Sequence, residues 1–441
     1  MFQRAITLAC LAFLSTVSIN AQTPTKPISI EVLVDSIENS LLHNYVFLEK
    51  ARLMVDKIKS QYKNGAYKSL SDPFQIRHAI ENDIKSVHQD GHLHLNYDPI
   101  FAERLSMPGR GARSAHEDSV ALRRMKYDNF LFNKVEILNG NIGYVLFRGF
   151  SGFVEEAKPT ISAAFAFVKN TDAVIIDLRK NGGGSPWMVK QIASYFFKER
   201  AHLNDIYKRK QDETKEFWAD PKDADGVSLL MPVYILTSKN TFSAAEDFTY
   251  AMQVNKRALI VGDTTGGGAH PVDSYPMGQG YVMDIPIARS INPITKTDWE
   301  GTGVFPNVPV RADEALAKAQ ELILRGKLAT LLNDRDKEQV KLYIEALKPT
   351  VTLTAKQWQA LDGRYQAEGN NKFHLQITSK GDKLILKQDW DGAEVVFEAK
   401  SDVDFFCSEL SFPLKFTKNA QGNCTQVLAF GRDVWVRVKG N

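Results

Sequence analysis

Between Ile28 and about Val87 apolar residues recur at helical spacing, as in Val32, Leu33 and Ile37 and again in Ala51, Met54, Val55 and Ile58. Breaks fall at Asn64-Gly65 and Ser71-Asp72-Pro73, where Ser71 or Asp72 can cap a helix opened by Pro73. Three helices are expected, forming an N-terminal domain over 22–96. Irregular text around Pro108-Gly109-Arg110-Gly111 predicts a linker over 97–130. Alternation and β-branched residues return over 135–147, with Asn139-Gly140 as a hairpin turn between two strands. Short apolar strands at 173–177, 233–237 and 258–261 then alternate with helical patterns at 187–197 and 244–254. Such alternation predicts parallel strands covered by crossover helices, a core spanning 131–311. A charged helical pair follows as a connector over 312–348. Beyond it, short alternating runs at 373–377, 383–387, 394–398 and 426–430, punctuated by Gly381-Asp382 and Asp391-Gly392, predict a small antiparallel β domain over 349–441.

Composition narrows the picture only a little. Among 441 residues, 44% are hydrophobic and 24% charged, ordinary globular values that exclude a disordered chain or a coiled coil. A formal charge of +3 with no Lys/Arg run gives no reason to expect nucleic acid as a partner. The start is more telling. A charged Met1 to Arg4 and an apolar 5–17 run precede Ser18-Ile19-Asn20-Ala21, the pattern of a secretory signal peptide over 1–21. That run is shorter than the ~20 residues a membrane span needs, and no other stretch is long and apolar enough, so an exported protein without a span is expected. Cys407 and Cys424 would then remain, either bridged across adjacent strands or buried as two small apolar groups.

Three segments could carry chemistry. Asp177-Leu178-Arg179-Lys180-Asn181-Gly182-Gly183-Gly184 follows a buried strand and precedes a helix, so its bare amides can hold an anion or an oxyanion. A phosphate loop is disfavoured, since Ser185-Pro186 stands where Gly-Lys-Ser/Thr is required. Ser243 lies at a second strand-to-helix junction, positioned for nucleophilic work. On spacing alone, however, capping is the commoner role of such a serine. Alternation puts His92 and His94 on one strand face, which permits a metal pair but supplies no third ligand. Glu300, in the Gly-rich turn Trp299-Glu300-Gly301-Thr302-Gly303, could orient a histidine or be an ordinary turn residue.

Taken jointly, the segments resemble the serine peptidases of the tail-specific, C-terminal-processing and tricorn family, most closely its interphotoreceptor-retinoid-binding-protein-like branch. The markers, in order, are Asp90-Gly91-His92-Leu93, Gly140-Asn141-Ile142-Gly143-Tyr144, the 177–184 run, Phe242-Ser243-Ala244-Ala245-Glu246, the run from Val261 to His270, and Glu300-Gly301-Thr302-Gly303-Val304. The resemblance implies a crotonase-like (ClpP-like) α/β core with Ser243 as nucleophile and oxyanion donors at Gly182, Gly183 and Ala244. The C-terminal-processing branch uses a lysine base at the position this chain fills with Gly268. The tricorn-like branch uses histidine backed by glutamate, roles that map to His92 and Glu300, although Gly91 stands where tricorn has a further serine. His270 is the alternative base. About 40 residues between Leu95 and Val135 leave no room for a PDZ-like module, and the 353–438 region resembles the lipocalin-like domains appended to some exported hydrolases.

The resemblance thus implies an exported serine-type peptidase acting on a peptide or protein, with no metal and no organic cofactor. An esterase, or a non-catalytic protein binding apolar ligands or peptides, is the alternative.

Overall fold

The computed structural model describes residues 29–107, 114–429 and 432–438. The leader expected over 1–21 lies outside them. Three helices open the described chain: α1 (Ile30–Asn44), α2 (Leu48–Lys63) and α3 (Pro73–Val87). Asp72 caps α3 by accepting from the Gln75 N–H at 2.8 Å, as a carboxylate before Pro at N1 should. A short β1 (His94–Tyr97) follows. The expected linker contains two helices, α4 (Pro99–Ser106) and α5 (Ala115–Tyr127). Asp98 caps the first and Ser114, with Glu117 reaching back, caps the second. No residue of α5 is fully buried, and the half-buried Leu122 and Met125 that pack on the core make too narrow an apolar stripe for the sequence to reveal it.

The core then runs through β2 (Phe132–Leu138), β3 (Ile142–Phe147), α6 (Val154–Val168), β4 (Ala173–Asp177), α7 (Pro186–Ala193), β5 (Ala201–Lys208), β6 (Glu213–Ala219), β7 (Val233–Thr237), α8 (Ala244–Val254) and β8 (Ala258–Gly262). It closes with β9 (Val272–Gly278), β10 (Tyr281–Pro286), β11 (Ala288–Ile291) and β12 (Val308–Pro309). The main sheet has the order β12-β8-β7-β4-β3-β2. Its β3-β4-β7-β8-β12 part is parallel, and β2 joins β3 as the expected hairpin. Every residue of β4 is buried because both faces are covered. Val174 and Ile176 join Phe165, Ile192 and Phe248 from α6, α7 and α8. Ala173 and Ile175 face the opposite layer, where α9 (Ala315–Thr330) and α10 (Asp334–Ala346) present Ala319, Ile323 and Val340.

Two small sheets frame the carboxyl ends of these strands. One has the order β11-β5-β6, the other β1-β10-β9. The second decides the site. By pairing His94 with Asp284 and Leu95 with Met283, it fixes the N-terminal helices onto the core. Ile37, Ile80 and Ile84 share one apolar cluster with Met277, Tyr281 and Ile285, so the helices and these strands bury a common core.

After α11 (Ala355–Leu361), the strands β13 (Gly363–Ala367), β14 (His374–Lys380), β15 (Lys383–Gln388), β16 (Glu394–Ala399), β17 (Asp404–Cys407), β18 (Phe412–Lys418), β19 (Cys424–Ala429) and β20 (Asp433–Arg437) form a closed antiparallel barrel. Each strand pairs with the next and β20 returns to β13, which removes the exposed edges. Its interior is filled by side chains including Leu375, Phe397, Phe405 and Phe416. Cys407 and Cys424 are buried free thiols. They lie on β17 and β19 with β18 between them, so the adjacency that a cross-strand bridge requires is missing.

Candidate active site

Ser243 stands between β7 and α8 with φ +56° and ψ −121°. A capping serine sits in extended backbone with negative φ. A non-glycine residue held at positive φ is strained and needs surrounding structure to keep it there. That structure is Glu246, one turn along α8 and fully buried. Its Oε2 accepts from the N–H groups of Ser243 at 2.9 Å and Gly268 at 2.8 Å. Its Oε1 accepts from Gly267 N–H at 2.6 Å and Thr265 Oγ1 at 2.5 Å. One carboxylate therefore ties the serine to the loop after β8. Burial pushes the Glu246 carboxyl up, and the four donors pull it partway back.

The Gly-rich run meets Ser243 from the side. A Cβ on Gly183 would fall 2.8 Å from Ser243 Cβ and 2.9 Å from the Ala244 nitrogen. Gly183 also has φ +100°, so only glycine fits this approach. Its N–H donates to Asn181 Oδ1 at 2.9 Å and is thereby committed, contrary to its expected role as an oxyanion donor. Gly182 is exposed. Gly184 and Ala244, with Ser243, line a cavity of about 240 Å³. The Asp177-Leu178-Arg179 segment braces the loops beneath the site. Arg179 binds the buried Asp177 carboxylate at 2.9 and 2.6 Å, and Tyr144 donates to it at 2.7 Å. Two cross-links then hold the β4 and β7 loops together, from Ser238 Oγ to the Arg179 carbonyl at 2.6 Å and from Thr241 Oγ1 to the Leu178 carbonyl at 2.8 Å.

His92 lines the same cavity as Ser243. Its ring lies 4.7 Å from that of Phe242, and burial pushes its pKa down to about 4 against a smaller upward pull from Asp90. Its Nδ1 is buried and makes no hydrogen bond. One donor atom from each of His92, Asp90 and Glu300 lies within 4.8 Å of the others. Glu300 itself holds backbone, accepting from Gly91 N–H at 2.9 Å and Ala269 N–H at 2.5 Å. A Cβ on Gly268 would fall 2.7 Å from His92 Cε1 and collide with the Phe242 ring. The imidazole thus stands against the position where a lysine would begin.

His270 has other company. It is 2% exposed, and its Nδ1 lies 2.7 Å from Asp90 Oδ2 and 3.4 Å from Glu300 Oε2. Burial alone would lower its pKa, but the Asp90 hydrogen bond and charge outweigh that and raise it. Asp90 also accepts from Tyr45 Oη at 2.9 Å and the His92 N–H at 3.0 Å. His270 does not line the Ser243 cavity. His94 is equally occupied, between Glu81 Oε1 at 3.1 Å and the Gly91 carbonyl at 3.0 Å, so the two histidines of the strand motif do not converge on one ligand.

Residues 141–310 match the family model of peptidase family S41. This stretch resembles an S41 core. The chain is 29% identical over 182 residues to the chloroplastic carboxyl-terminal-processing peptidase 2 of Arabidopsis thaliana, covering 38% of this chain and 32% of that protein. It is 24% identical over 211 residues to the carboxy-terminal processing protease CtpB of Bacillus subtilis, covering 47% and 42%. The chain therefore spans less than half the length of these curated relatives. Among solved structures, the photosystem II D1 C-terminal processing protease overlaps 65% of this chain and 94% of its own, at 16% identity and TM-score 0.42.

The fold brings Ser243, His92, Gly184 and Ala244 to one cavity and keeps His270 outside its lining with Asp90. Sequence reasoning missed Glu246 and Asn181 as organisers, although both lie inside motifs it singled out. The signal was present for Glu246: an acid three residues after a capping-type serine marks a helix start. Nothing local could show that its oxygens reach to Gly267 and Gly268.

Proposed function

We propose that the chain is an exported serine peptidase of the histidine-base type, with a crotonase-like core and Ser243 as its nucleophile. The observation that carries this reading is the strained Ser243 sharing one cavity with an unpaired, neutral His92. In the first step Ser243 Oγ attacks the scissile carbonyl carbon while His92 takes the hydroxyl proton. The tetrahedral oxyanion is met by the Ala244 N–H at the start of α8, where the helix dipole adds to it, and by an amide of the 182–184 run. His92 then returns the proton to the leaving amine. Water, activated by the same imidazole, hydrolyses the acyl-enzyme ester and restores Ser243. Asp90 supplies negative charge that favours the imidazolium formed in between, and Glu300 has an oxygen within 4.8 Å of the same ring. The substrate peptide would lie as an added strand at the rim of the core.

Support for histidine over lysine comes from Gly268, whose missing side chain leaves the space that His92 approaches. It fits the histidine base that the resemblance to the tricorn-like branch implies. Export rests on the 1–21 leader pattern. The test is labelling of the full chain by a fluorophosphonate, comparing wild type with Ser243→Ala, His92→Ala and His270→Ala. Labelling should vanish with the first and fall by about 100-fold or more with the second. Wild type that takes no label would refute an active hydrolase, and labelling that survives Ser243→Ala would remove that residue as nucleophile. Turnover lost only in the His270 variant would transfer the base role to His270.

A further inference from the structure

The cavity that holds Ser243 has a polar end that the chemistry of acyl transfer does not use. Asp247 lies four residues beyond Ser243 on α8, one turn deeper on the same face, with its N–H bonded to the Ser243 carbonyl at 3.0 Å. Asp247 lines the cavity and is 6% exposed. Its Oδ1 makes no hydrogen bond. Beside it stands Asn204 of β5, 1% exposed, whose side-chain hydrogen bond pulls the Asp247 carboxyl down. Burial outweighs that pull and pushes the carboxyl up to about 7, with no Lys or Arg contributing.

Buried polar atoms left unpaired are costly, and native folds keep few of them. A carboxylate oxygen in that state on a cavity wall marks a place completed by something else. The walls leading to it are apolar, formed by Pro186, Ile206, Pro271, Val272 and Trp299. At about 240 Å³ the cavity is below the ~300 Å³ at which pockets for whole small molecules begin, a size for one side chain.

We infer that this cavity selects a substrate with lysine or arginine on the acyl side of the scissile bond. The methylene stem packs on the apolar walls and the cationic head donates to Asp247. A leucine there leaves the carboxylate oxygen unpaired, which is the situation in which polar sites discriminate most strongly. Asp247 is on this view a specificity residue that touches substrate but takes no part in proton transfer. The inference rests on Ser243 being the nucleophile.

The experiment compares two peptidyl phosphonate probes, identical except for lysine or leucine at the residue next to phosphorus, on the full chain. The ratio of their inactivation rates cancels any loss of folded protein. In wild type the lysine probe should react at least about tenfold faster, and in Asp247→Asn and Asp247→Leu the ratio should fall to near one or invert. A ratio near one in wild type, or an unchanged ratio in both variants, would each overturn the inference. If a generic fluorophosphonate labels Ser243 while the ratio is near one, only the pocket assignment fails. If Ser243 takes no probe at all, the reading of Ser243 fails and the pocket assignment falls with it.

Discussion

Replacing Glu246 by glutamine tests whether one buried carboxylate holds the nucleophile in place. The carboxylate serves four donors with two oxygens: Thr265 Oγ1 and Gly267 N–H on one, Gly268 N–H and Ser243 N–H on the other. Glutamine keeps one acceptor oxygen and turns an NH₂ toward the remaining two donors. Whichever way the amide faces, two hydrogen bonds to a charged acceptor are lost, at roughly 1.5 to 3 kcal/mol each. The sum is about 3 to 6 kcal/mol, before any donor-donor repulsion in a site with no access to water. The loss falls on the 262–270 loop and the Ser243 junction, and the distant barrel is untouched. Amide hydrogen exchange followed by mass spectrometry should therefore show the loop peptides exchanging at least about 100-fold faster, the equivalent of roughly 3 kcal/mol of local opening. Barrel peptides should not change. Fluorophosphonate labelling of Ser243 should fall by about tenfold or more, since the positive-φ serine loses its tether. Loop exchange within about threefold of wild type, together with unchanged labelling, would refute the assignment.

Three further outcomes are expected. Because burial holds His92 near pKa 4, the acid limb of Ser243 labelling should fall near pH 4, and a limb near 6.5 would contradict the burial argument; the folded state refuses a proton that the unfolded chain accepts between those values, so stability should also drop as pH falls through that window, by about 3 kcal/mol at most. Gly183→Ala should abolish labelling, since its Cβ would meet Ser243 Cβ at 2.8 Å with φ +100°; a variant labelling at the wild-type rate would show that the loop can withdraw. Asp90→Ala strands His270 and Tyr45 in a buried site and should lower urea stability of the core by about 3 to 5 kcal/mol, with a loss under about 1 kcal/mol counting against the hub.

The parallel strands, their crossover helices and the position of Ser243 at a strand-to-helix junction were legible because periodicity records which face of each local segment is buried. Asp72 as a cap and Asn139-Gly140 as a turn belong to the same class, being contacts within a few residues. Helix α5 was not legible, since Leu122 and Met125, half-buried against the core, make too narrow an apolar stripe. Nor was the state of the cysteines, which depends on β18 standing between their strands. The site shows the division most clearly. Sequence alone nominated Ser243, His92, His270 and Glu300, but left two histidines competing for one role. The tertiary structure gives them different surroundings, because the β1-β10 pairing carries His92 to the Ser243 cavity while Asp90, 180 positions away, holds His270 outside its lining. An unpaired group such as Asp247 Oδ1 is invisible in a sequence for the same physical reason: whether a polar atom has a partner is settled by neighbours that distant strands deliver, not by the residues beside it.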